Sequence, residues 1–380
     1  MAFSSFSKVN IAGICAVIPD NLISIDSEIS FYKNNQAILE RNKKILGLGT
    51  RCVADDRTSN CDLCEAAAQE LITRLNLDKK KIECVIVVSS SHDYHYPASA
   101  CILQGRLDLS EDCTCFDISG LACTAYVHGL MVAHSMISSG SCKNCLLLVG
   151  DITSRHSDKR NRNSNMLFGD AGTATFLEYS ENAPEAFFYT GTNGKDWNKL
   201  IAPAGGYDLP VKADIADLEI LDASGNVWKM TDDIMKGMAI FEFATKIGPL
   251  GISKILEYSG NSIEDIDYFA IHQANKQIVK NIAMFSNLPK EKFSSKAFEL
   301  YGNCGSAAVA IDICRQQNEM HKNKLCLATF GVGLSWGFAV LDTSNTYVPQ
   351  IKKYITPDSK MTREQKISYW IDYYKGTIKS

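Results

Sequence analysis

The chain has 380 residues, of which 46% are hydrophobic and 22% are charged. This length can bury a large core in two domains or in one duplicated unit, and the composition excludes disordered and fibrous proteins. The formal net charge of −4 provides no electrostatic attraction to nucleic acid or to an anionic membrane surface, so neither is an expected partner.

The first residues predict a strand, VNIAGICAVI at 9–18, that runs into a turn at Pro19. They lack the basic segment and unbroken apolar stretch of a secretory signal, and no window approaches 18 uncharged apolar residues. Fourteen cysteines in such a chain indicate reduced thiols and not a disulfide scaffold. We therefore expect a cytoplasmic protein.

The next part of the chain alternates between short β-branched runs and helical patterns. The predicted strands are ECVIVVSSS (83–91), CTCFDIS (113–119), CLLLVGDI (145–152) and AGTATFLEY (171–179), and the predicted helices are CDLCEAAAQELITRL (61–75) and TAYVHGLMVAHSMISS (124–139). Strands that alternate with helices of this length are typical of an α/β layered fold.

The second half repeats this order of elements. It contains strands at IDYFAIHQ (266–273), KLCLATFGV (324–332) and WGFAVLDT (336–343), and helices at NKQIVKNIAMF (275–285) and GSAAVAIDICRQQ (305–317). Ser90 precedes Cys123 by 33 positions, and His272 precedes Gly305 by the same 33. The repeated order predicts an internally duplicated α/β fold with its site where the halves meet.

Cys123 lies among small residues where a strand turns into a helix, in DISGLACTAYVHGL. A helix N-terminus stabilises a thiolate, although a single buried cysteine is more often inert. His272 at a strand end and Asn303 in a glycine-flanked turn add further polar groups, although either one alone is more often structural. The glycine-punctuated hairpin FGVGLSWG (330–337) can present backbone N–H groups to an oxyanion.

These stretches, with LFGDAGTATFLE, IHQANKQIVKNIA and YGNCGSAAVAI, stand in the order and spacing of a known family. Over roughly residues 8 to 343 the chain resembles the β-ketoacyl-acyl carrier protein synthase III family of the thiolase fold. The resemblance implies a five-layer α-β-α-β-α architecture. It divides the chain into an N-terminal half (1–180), a connecting region (181–235), a C-terminal half (236–345) and a helical extension (346–380).

The resemblance also implies a mechanism. Cys123 would accept an acyl group from a thioester, and the oxyanion would bind the N–H groups of Cys123 and Val332. His272 and Asn303 would then stabilise the enolate formed when a malonyl thioester loses CO₂. No metal or redox cofactor is expected, because both substrates are thioesters carried on coenzyme A or on the phosphopantetheine of an acyl carrier protein.

The resemblance assigns further residues to substrate binding, and they are Arg162, Asn275, Tyr96, Gly331 and Gly333. Tyr96 would reach the acyl pocket of the partner subunit in a homodimer. Other positions that bind the coenzyme A nucleotide in the family hold Arg41, Ile45, Glu242 and Gln277 here. These departures favour a specialised relative in a secondary pathway that takes acyl groups from a carrier protein. The basic loop RHSDKRNRNSN (155–165) could meet the phosphopantetheine or an acidic carrier, or remain a solvated loop.

The last residues lie beyond the resemblance. Thr362 and Gln365 form a candidate capping box, and one helical face carries Ile367, Trp370, Ile371 and Tyr374. This stripe is expected to pack onto the body or onto a neighbouring subunit.

Three alternatives stay open. The pairs CDLC (61–64) and CKNC (142–145) have a spacing found in zinc sites. Cys, His and Asn also serve cysteine hydrolases. Within the fold, Cys123 could instead pass its acyl group to an alcohol or amine without decarboxylation, in a secondary-metabolite or surface-polysaccharide pathway.

Overall fold

A computed structural model describes residues 2–162, 164–223, 225–317 and 323–377. The strands are β1 (Ala2–Phe6), β2 (Val9–Pro19), β3 (Leu22–Ser24), β4 (Thr50–Cys52), β5 (Cys84–Val88), β6 (Thr114–Ile118), β7 (Asn144–Ile152), β8 (Asp170–Tyr179), β9 (Ala186–Thr192), β10 (Leu200–Ile201), β11 (Glu219–Leu221), β12 (Val227–Lys229), β13 (Ile234–Met235), β14 (Tyr268–Ile271), β15 (Lys324–Gly331), β16 (Ser335–Asp342) and β17 (Lys352–Tyr354). The helices are α1 (Gln36–Leu46), α2 (Asn60–Arg74), α3 (Ser99–Arg106), α4 (Ala125–Ser138), α5 (Ala213–Ala216), α6 (Gly237–Ser259), α7 (Lys276–Phe285), α8 (Lys296–Tyr301), α9 (Ala308–Gln317) and α10 (Arg363–Tyr374).

Two sheets organise these elements. One has the strand order β17-β2-β8-β7-β5-β6 and the other β1-β9-β16-β15-β14. Strand β5 is buried on both faces, which explains its unbroken apolar sequence. Its residues Ile86 and Val88 face the cluster that contains α4 and α9, whereas Val85 and Val87 face the cluster that contains α2 and α3.

Helices α4 and α9 share one hydrophobic cluster with residues of both sheets and therefore form the central layer. On the outer face of the second sheet, Ile252 and Ile255 of α6 and Ile282 of α7 pack against Phe269 and Phe338. The layers thus run α2/α3, first sheet, α4/α9, second sheet, α6/α7. The predicted five-layer α/β fold is confirmed.

Sheet pairing crosses the predicted boundaries between the halves. Ala2–Phe6 belongs to the second sheet, because it pairs antiparallel with Ala186–Thr192. Lys352–Tyr354 from the C-terminal extension joins the first sheet, parallel to β2. Backbone groups at a sheet edge are satisfied by whichever segment reaches them, and here distant segments do so.

The C-terminal helix α10 begins with the predicted capping box between Thr362 and Gln365. The apolar stripe of this helix remains largely exposed in the single chain, and its main aromatic contact is an edge-on one between Trp370 and Tyr94. The expected packing of the stripe onto the body is therefore limited to its Trp370 side. Among the described residues, no helix is both long and apolar enough to span a membrane.

Candidate active site

Cys123 lies in a tight turn between β6 and α4. The 3₁₀ turn Ala122–Thr124 leads directly into α4, and the chain enters it through positive φ angles at Gly120 (77°) and Ala122 (44°). A non-glycine residue in this region is strained by about 1–3 kcal/mol, and such strain is often found at functional sites. The turn places the Cys123 side chain, 9% exposed, in the wall of a large cavity.

Burial dominates the protonation of this thiol. Desolvation and the nearby charge of Asp151 raise the pKa of Cys123 to about 12, with a smaller contribution from Asp233. The backbone N–H of Cys123 and the side chain of Asn303 hydrogen-bond the sulfur and oppose this rise. The stabilisation of the thiolate by the helix start, which the sequence predicts, is therefore outweighed, because the buried thiolate loses more hydration free energy than these hydrogen bonds restore.

His272 follows strand β14 and lines the same cavity. Its backbone N–H donates to the carbonyl of Ala328 at 2.8 Å, which extends the pairing with β15. Burial lowers the pKa of His272 to about 4, so the ring is neutral near pH 7. A neutral imidazole has one N–H donor, and the buried Nδ1 has no hydrogen-bond partner in the described structure.

Asn303 is held by both its backbone and its side chain. Its N–H donates to the carbonyl of Leu167, and its own carbonyl accepts from the N–H of Gly169, part of the LFGD motif. Its Oδ1 accepts from the N–H of Gly305 at 3.1 Å. The amide is thereby oriented so that Nδ2 is the group left to donate into the cavity that Asn303 lines.

The glycine hairpin lies against the turn that contains Cys123. A Cβ placed on Gly331 would stand 2.2 Å from the carbonyl oxygen of Leu121 and 2.9 Å from the backbone nitrogen of Thr124. Gly331 lines the cavity, whereas Val332 and Gly333 begin the following 3₁₀ turn and are not among its lining residues. Only a glycine allows these two backbones to approach this closely.

The cavity has a volume of about 700 Å³. Its lining residues are Tyr32, Ile38, Asn42, Leu46, Leu48, Cys123, Arg162, Met166, Leu167, Phe168, Leu200, Asn226, Met235, Gly237, Met238, Ile240, Phe241, Phe243, Ala244, His272, Ala274, Asn275, Gln277, Ile278, Asn303, Phe330 and Gly331. Most of these are apolar, and the polar ones are mainly neutral amides. Such a wall suits an acyl chain joined to an amide-containing arm.

The structure brings six predicted site residues together in this wall: Cys123, His272, Asn303, Arg162, Asn275 and Gly331. Tyr96 is 78% exposed and lies outside the cavity of its own chain. Among the positions that depart from the family, Gln277 lines the cavity, whereas Arg41, Ile45 and Glu242 do not. The α1 residues that do so, Ile38, Asn42 and Leu46, follow an i, i+4, i+8 spacing that sequence reasoning missed.

The cysteine pairs proposed for zinc lie apart in the structure. Cys61 and Cys64 pack in the outer cluster under α2, whereas Cys142 and Cys145 pack in the central cluster. Within the described ranges, no three His, Cys, Asp or Glu side chains stand close enough to hold a metal ion. All fourteen cysteines lie within the described ranges, and none of them forms a disulfide bond.

Comparison with known proteins decides the family. The sequence matches the model of 3-oxoacyl-[acyl-carrier-protein] synthase III over residues 116–194, and that of the C-terminal part of this synthase over residues 256–343. A Campylobacter jejuni relative is 37% identical over 350 residues, which cover 92% of this chain and 98% of that protein. The chain belongs to the 3-oxoacyl-[acyl-carrier-protein] synthase III family.

Further relatives agree with this membership. The β-ketoacyl-[acyl-carrier-protein] synthase III of Acholeplasma laidlawii is 31% identical over 327 residues, 85% of this chain and 95% of that protein. The crystal structure of a 3-oxoacyl-(acyl-carrier protein) synthase from Burkholderia xenovorans matches with a TM-score of 0.84 at 31% identity, covering 93% of this chain and 99% of that one. This synthase III family member is therefore an acyl-transferring enzyme with the thiolase fold.

The basic loop 155–165 of this family member forms an ion pair and a hydrogen bond with the connecting region. Arg160 pairs with Asp158 and with Glu219, and Arg162 Nε donates to Asn226 Oδ1 at 3.0 Å. Arg155 donates to backbone carbonyls of the segment 55–58. Three of the four cations of the loop thus have partners within the chain.

Gly331→Ala is expected to lower acyl loading by about 10²–10³-fold, because the new methyl group must push the hairpin away from the turn that contains Cys123 and displace the predicted oxyanion donor at Val332. Loading is measured by intact mass of the acyl-enzyme. Gly105→Ala is the control, since a Cβ there meets no atom within 4 Å. Equal loading by both variants would show that the hairpin does not shape the oxyanion site.

The neutral state of His272 predicts a pH dependence of stability. The unfolded chain takes up a proton near the ordinary pKa of 6.5, whereas the folded chain does so only near pH 4. This group therefore costs stability as the pH falls from 6.5 to 4, by about 1.4 kcal/mol per pH unit. His272→Gln should reduce the acid-dependent loss of unfolding free energy by that amount in urea titrations. A variant with an unchanged slope would contradict the buried neutral ring.

Proposed function

We propose that this enzyme catalyses a two-step condensation of an acyl thioester with a malonyl thioester. The observation that supports it is the convergence of the Cys123 thiol, the His272 ring and the Asn303 amide on one largely apolar cavity. These are one nucleophile and two neutral donors. Each group has the chemistry that one half-reaction needs.

In the first step the sulfur of Cys123 bonds to the acyl carbon, and the bond to the pantetheine sulfur breaks. The thiol proton ends on the departing pantetheine. The tetrahedral oxyanion is stabilised by the N–H of Cys123 and by an N–H of the hairpin at Val332. One such donor contributes about 3–4 kcal/mol to the transition state.

In the second step the malonyl group loses CO₂, and the electron pair of the broken bond becomes an enolate. His272 Nε2 and Asn303 Nδ2 donate hydrogen bonds to the thioester oxygen of this enolate. Its carbon attacks the acyl carbon on Cys123, and the freed thiolate regains a proton. No step requires a metal or a redox cofactor.

A hydrolase mechanism fits these groups less well. A cysteine hydrolase uses its histidine to take the proton of the thiol. Here the pKa of His272 is lowered to about 4 while that of Cys123 is raised to about 12, so transfer from sulfur to ring is strongly unfavourable. The neutral ring suits donation to an enolate better than proton abstraction.

The test measures acylation of Cys123 by the intact mass of the enzyme, together with CO₂ release from a malonyl carrier protein. We expect an acyl-enzyme that is stable in water, and then one CO₂ for each 3-oxoacyl product. Acyl loading without CO₂ release, together with transfer of the acyl group to an added alcohol or amine, would instead support the non-decarboxylating reaction. A rapidly hydrolysed acyl-enzyme would overturn both.

We also propose that the acyl donor is carrier-borne. Among the lining residues in the described part of the chain, the one cationic side chain is Arg162, and its guanidinium is bonded to Asn226. The phosphopantetheine of a carrier protein brings one phosphodiester, whereas coenzyme A adds a pyrophosphate and a further phosphate. The same acyl chain should load at least about tenfold faster from the carrier than from coenzyme A. Equal or faster loading from coenzyme A would refute this preference.

A further inference from the structure

Asp151 is a fully buried acid near the end of β7 that neither half-reaction uses. Its Oδ1 accepts hydrogen bonds from the backbone N–H of Ser90 at 2.8 Å and from the hydroxyls of Ser89 and Ser91 at 3.0 and 3.2 Å. These serines directly follow strand β5. One carboxylate oxygen is thus bound by the first half of the chain.

The other oxygen is bound by the second half. Oδ2 accepts from the backbone N–H of Ser306 at 2.8 Å and from its hydroxyl. Gly305 has a φ of 57°, and a Cβ there would lie 2.5 Å from Oδ2. The N–H of Gly305 in turn donates to Oδ1 of Asn303. Gly305 and Ser306 therefore connect the Asp151 carboxylate to the Asn303 amide.

The turn that binds Asp151 corresponds to the turn that carries Cys123. Ala122–Thr124 before α4 and Gly305–Ala307 before α9 are corresponding 3₁₀ turns, and each begins with a positive φ. Cys123 in one turn and Ser306 in the other hold equivalent positions. The first half uses the position for the nucleophile, whereas the second half uses it to bind Asp151.

We propose that Asp151 is a positioning residue that fixes the Asn303 turn for decarboxylation while its negative charge restrains the Cys123 thiol. This role rests on the proposed function. Each oxygen of Asp151 accepts a backbone N–H, one from each half of the chain, and Asp151 is among the groups that raise the pKa of the Cys123 thiol. The other groups that act on this thiol are Asp233, the backbone N–H of Cys123 and the Asn303 amide.

Asp151→Asn should change the two half-reactions in opposite directions. Without the charge, iodoacetamide alkylation of Cys123 near pH 8 should rise roughly tenfold, and its pH profile should move to lower pH. Malonyl decarboxylation should fall by about 10²-fold, because the displaced Asn303 amide no longer donates a hydrogen bond to the enolate oxygen. A merely structural role would lower both rates together.

Ser306→Ala separates the effect of the hydrogen bond between Ser306 and Asp151 from the effect of the Asp151 charge. This variant keeps the carboxylate and removes one hydrogen bond to it, so decarboxylation should fall by about three- to tenfold. The alkylation profile of Cys123 should stay where it is. Asp170→Asn is the control, since Asp170 is equally buried and accepts N–H groups of Ala54 and Ser154, both in the first half.

The proposal is overturned if Asp151→Asn lowers alkylation and decarboxylation alike, or if Ser306→Ala leaves decarboxylation unchanged. The second outcome decides the matter even if Asp151→Asn does not fold. Absence of CO₂ release from the wild type would overturn the proposed condensation and the Asn303 part of this role. The alkylation profile would still decide whether the Asp151 charge restrains the thiol.

Discussion

Cys123→Ala is expected to abolish the acyl-enzyme and to lower condensation by at least about 10³-fold. In the proposed mechanism covalent catalysis depends on this one sulfur, and among the lining residues Cys123 is the single thiol of the cavity in the described part of the chain. Decarboxylation of the malonyl thioester should fall much less, because His272 and Asn303 keep their places. Intact mass after incubation with an acyl carrier measures the loading, and released CO₂ measures the second step.

Cys326→Ala serves as the matched control. Cys326 is fully buried in β15, and burial raises the pKa of its thiol as it does for Cys123. It lies outside the cavity wall, so its replacement should leave loading unchanged. An acyl group that still adds to the Cys123→Ala protein would place the nucleophile on another residue.

The sequence predicted the central strands correctly because both of their faces are buried. ECVIVVSSS and CLLLVGDI became Cys84–Val88 and Asn144–Ile152, two strands buried on both faces of a sheet. An unbroken apolar run between polar ends is typical of such a strand. The order of motifs then indicated the family, and with it the three groups of the site.

Helix starts were less predictable. The helix expected from Gly305 begins at Ala308, after a 3₁₀ turn. Ser306 in that turn donates its backbone N–H to a carboxylate 155 positions earlier in the chain. A local sequence pattern contains no information on such a distant partner. The sequence therefore predicted Asp151 only as a polar residue at the end of a strand.

The edges of the fold could not be predicted for the same reason. The pairing of β1 with β9 and of β17 with β2 depends on which distant segment reaches an open edge. The cavity wall likewise joins α1, α7, the loop 155–165 and the connecting region, and Arg162 of that loop donates to Asn226 of the connecting region. In each case the sequence predicts the element, while its partner depends on tertiary contacts.

His272→Ala and Asn303→Ala are expected to lower malonyl decarboxylation by about 10²–10³-fold each. In the proposed second step each variant removes one of the two donors to the enolate oxygen, and the buried cavity gives little water to replace that donor. Acyl loading of Cys123 should stay within about tenfold, because the oxyanion donors of the first step are backbone groups. The ratio of CO₂ release to loading rate is the quantity to measure.

His134→Ala is the matched control for the histidine. His134 is equally buried, and burial lowers its pKa to about 4, but it packs beside Phe6 and Phe188 away from the cavity. Its loss should cost stability and leave the ratio of decarboxylation to loading unchanged. If His272→Ala instead lowered both half-reactions equally, the ring would act before decarboxylation. The proposal that His272 acts only in the second half-reaction would then have to be abandoned, because a donor that binds only the enolate cannot affect a step that precedes it.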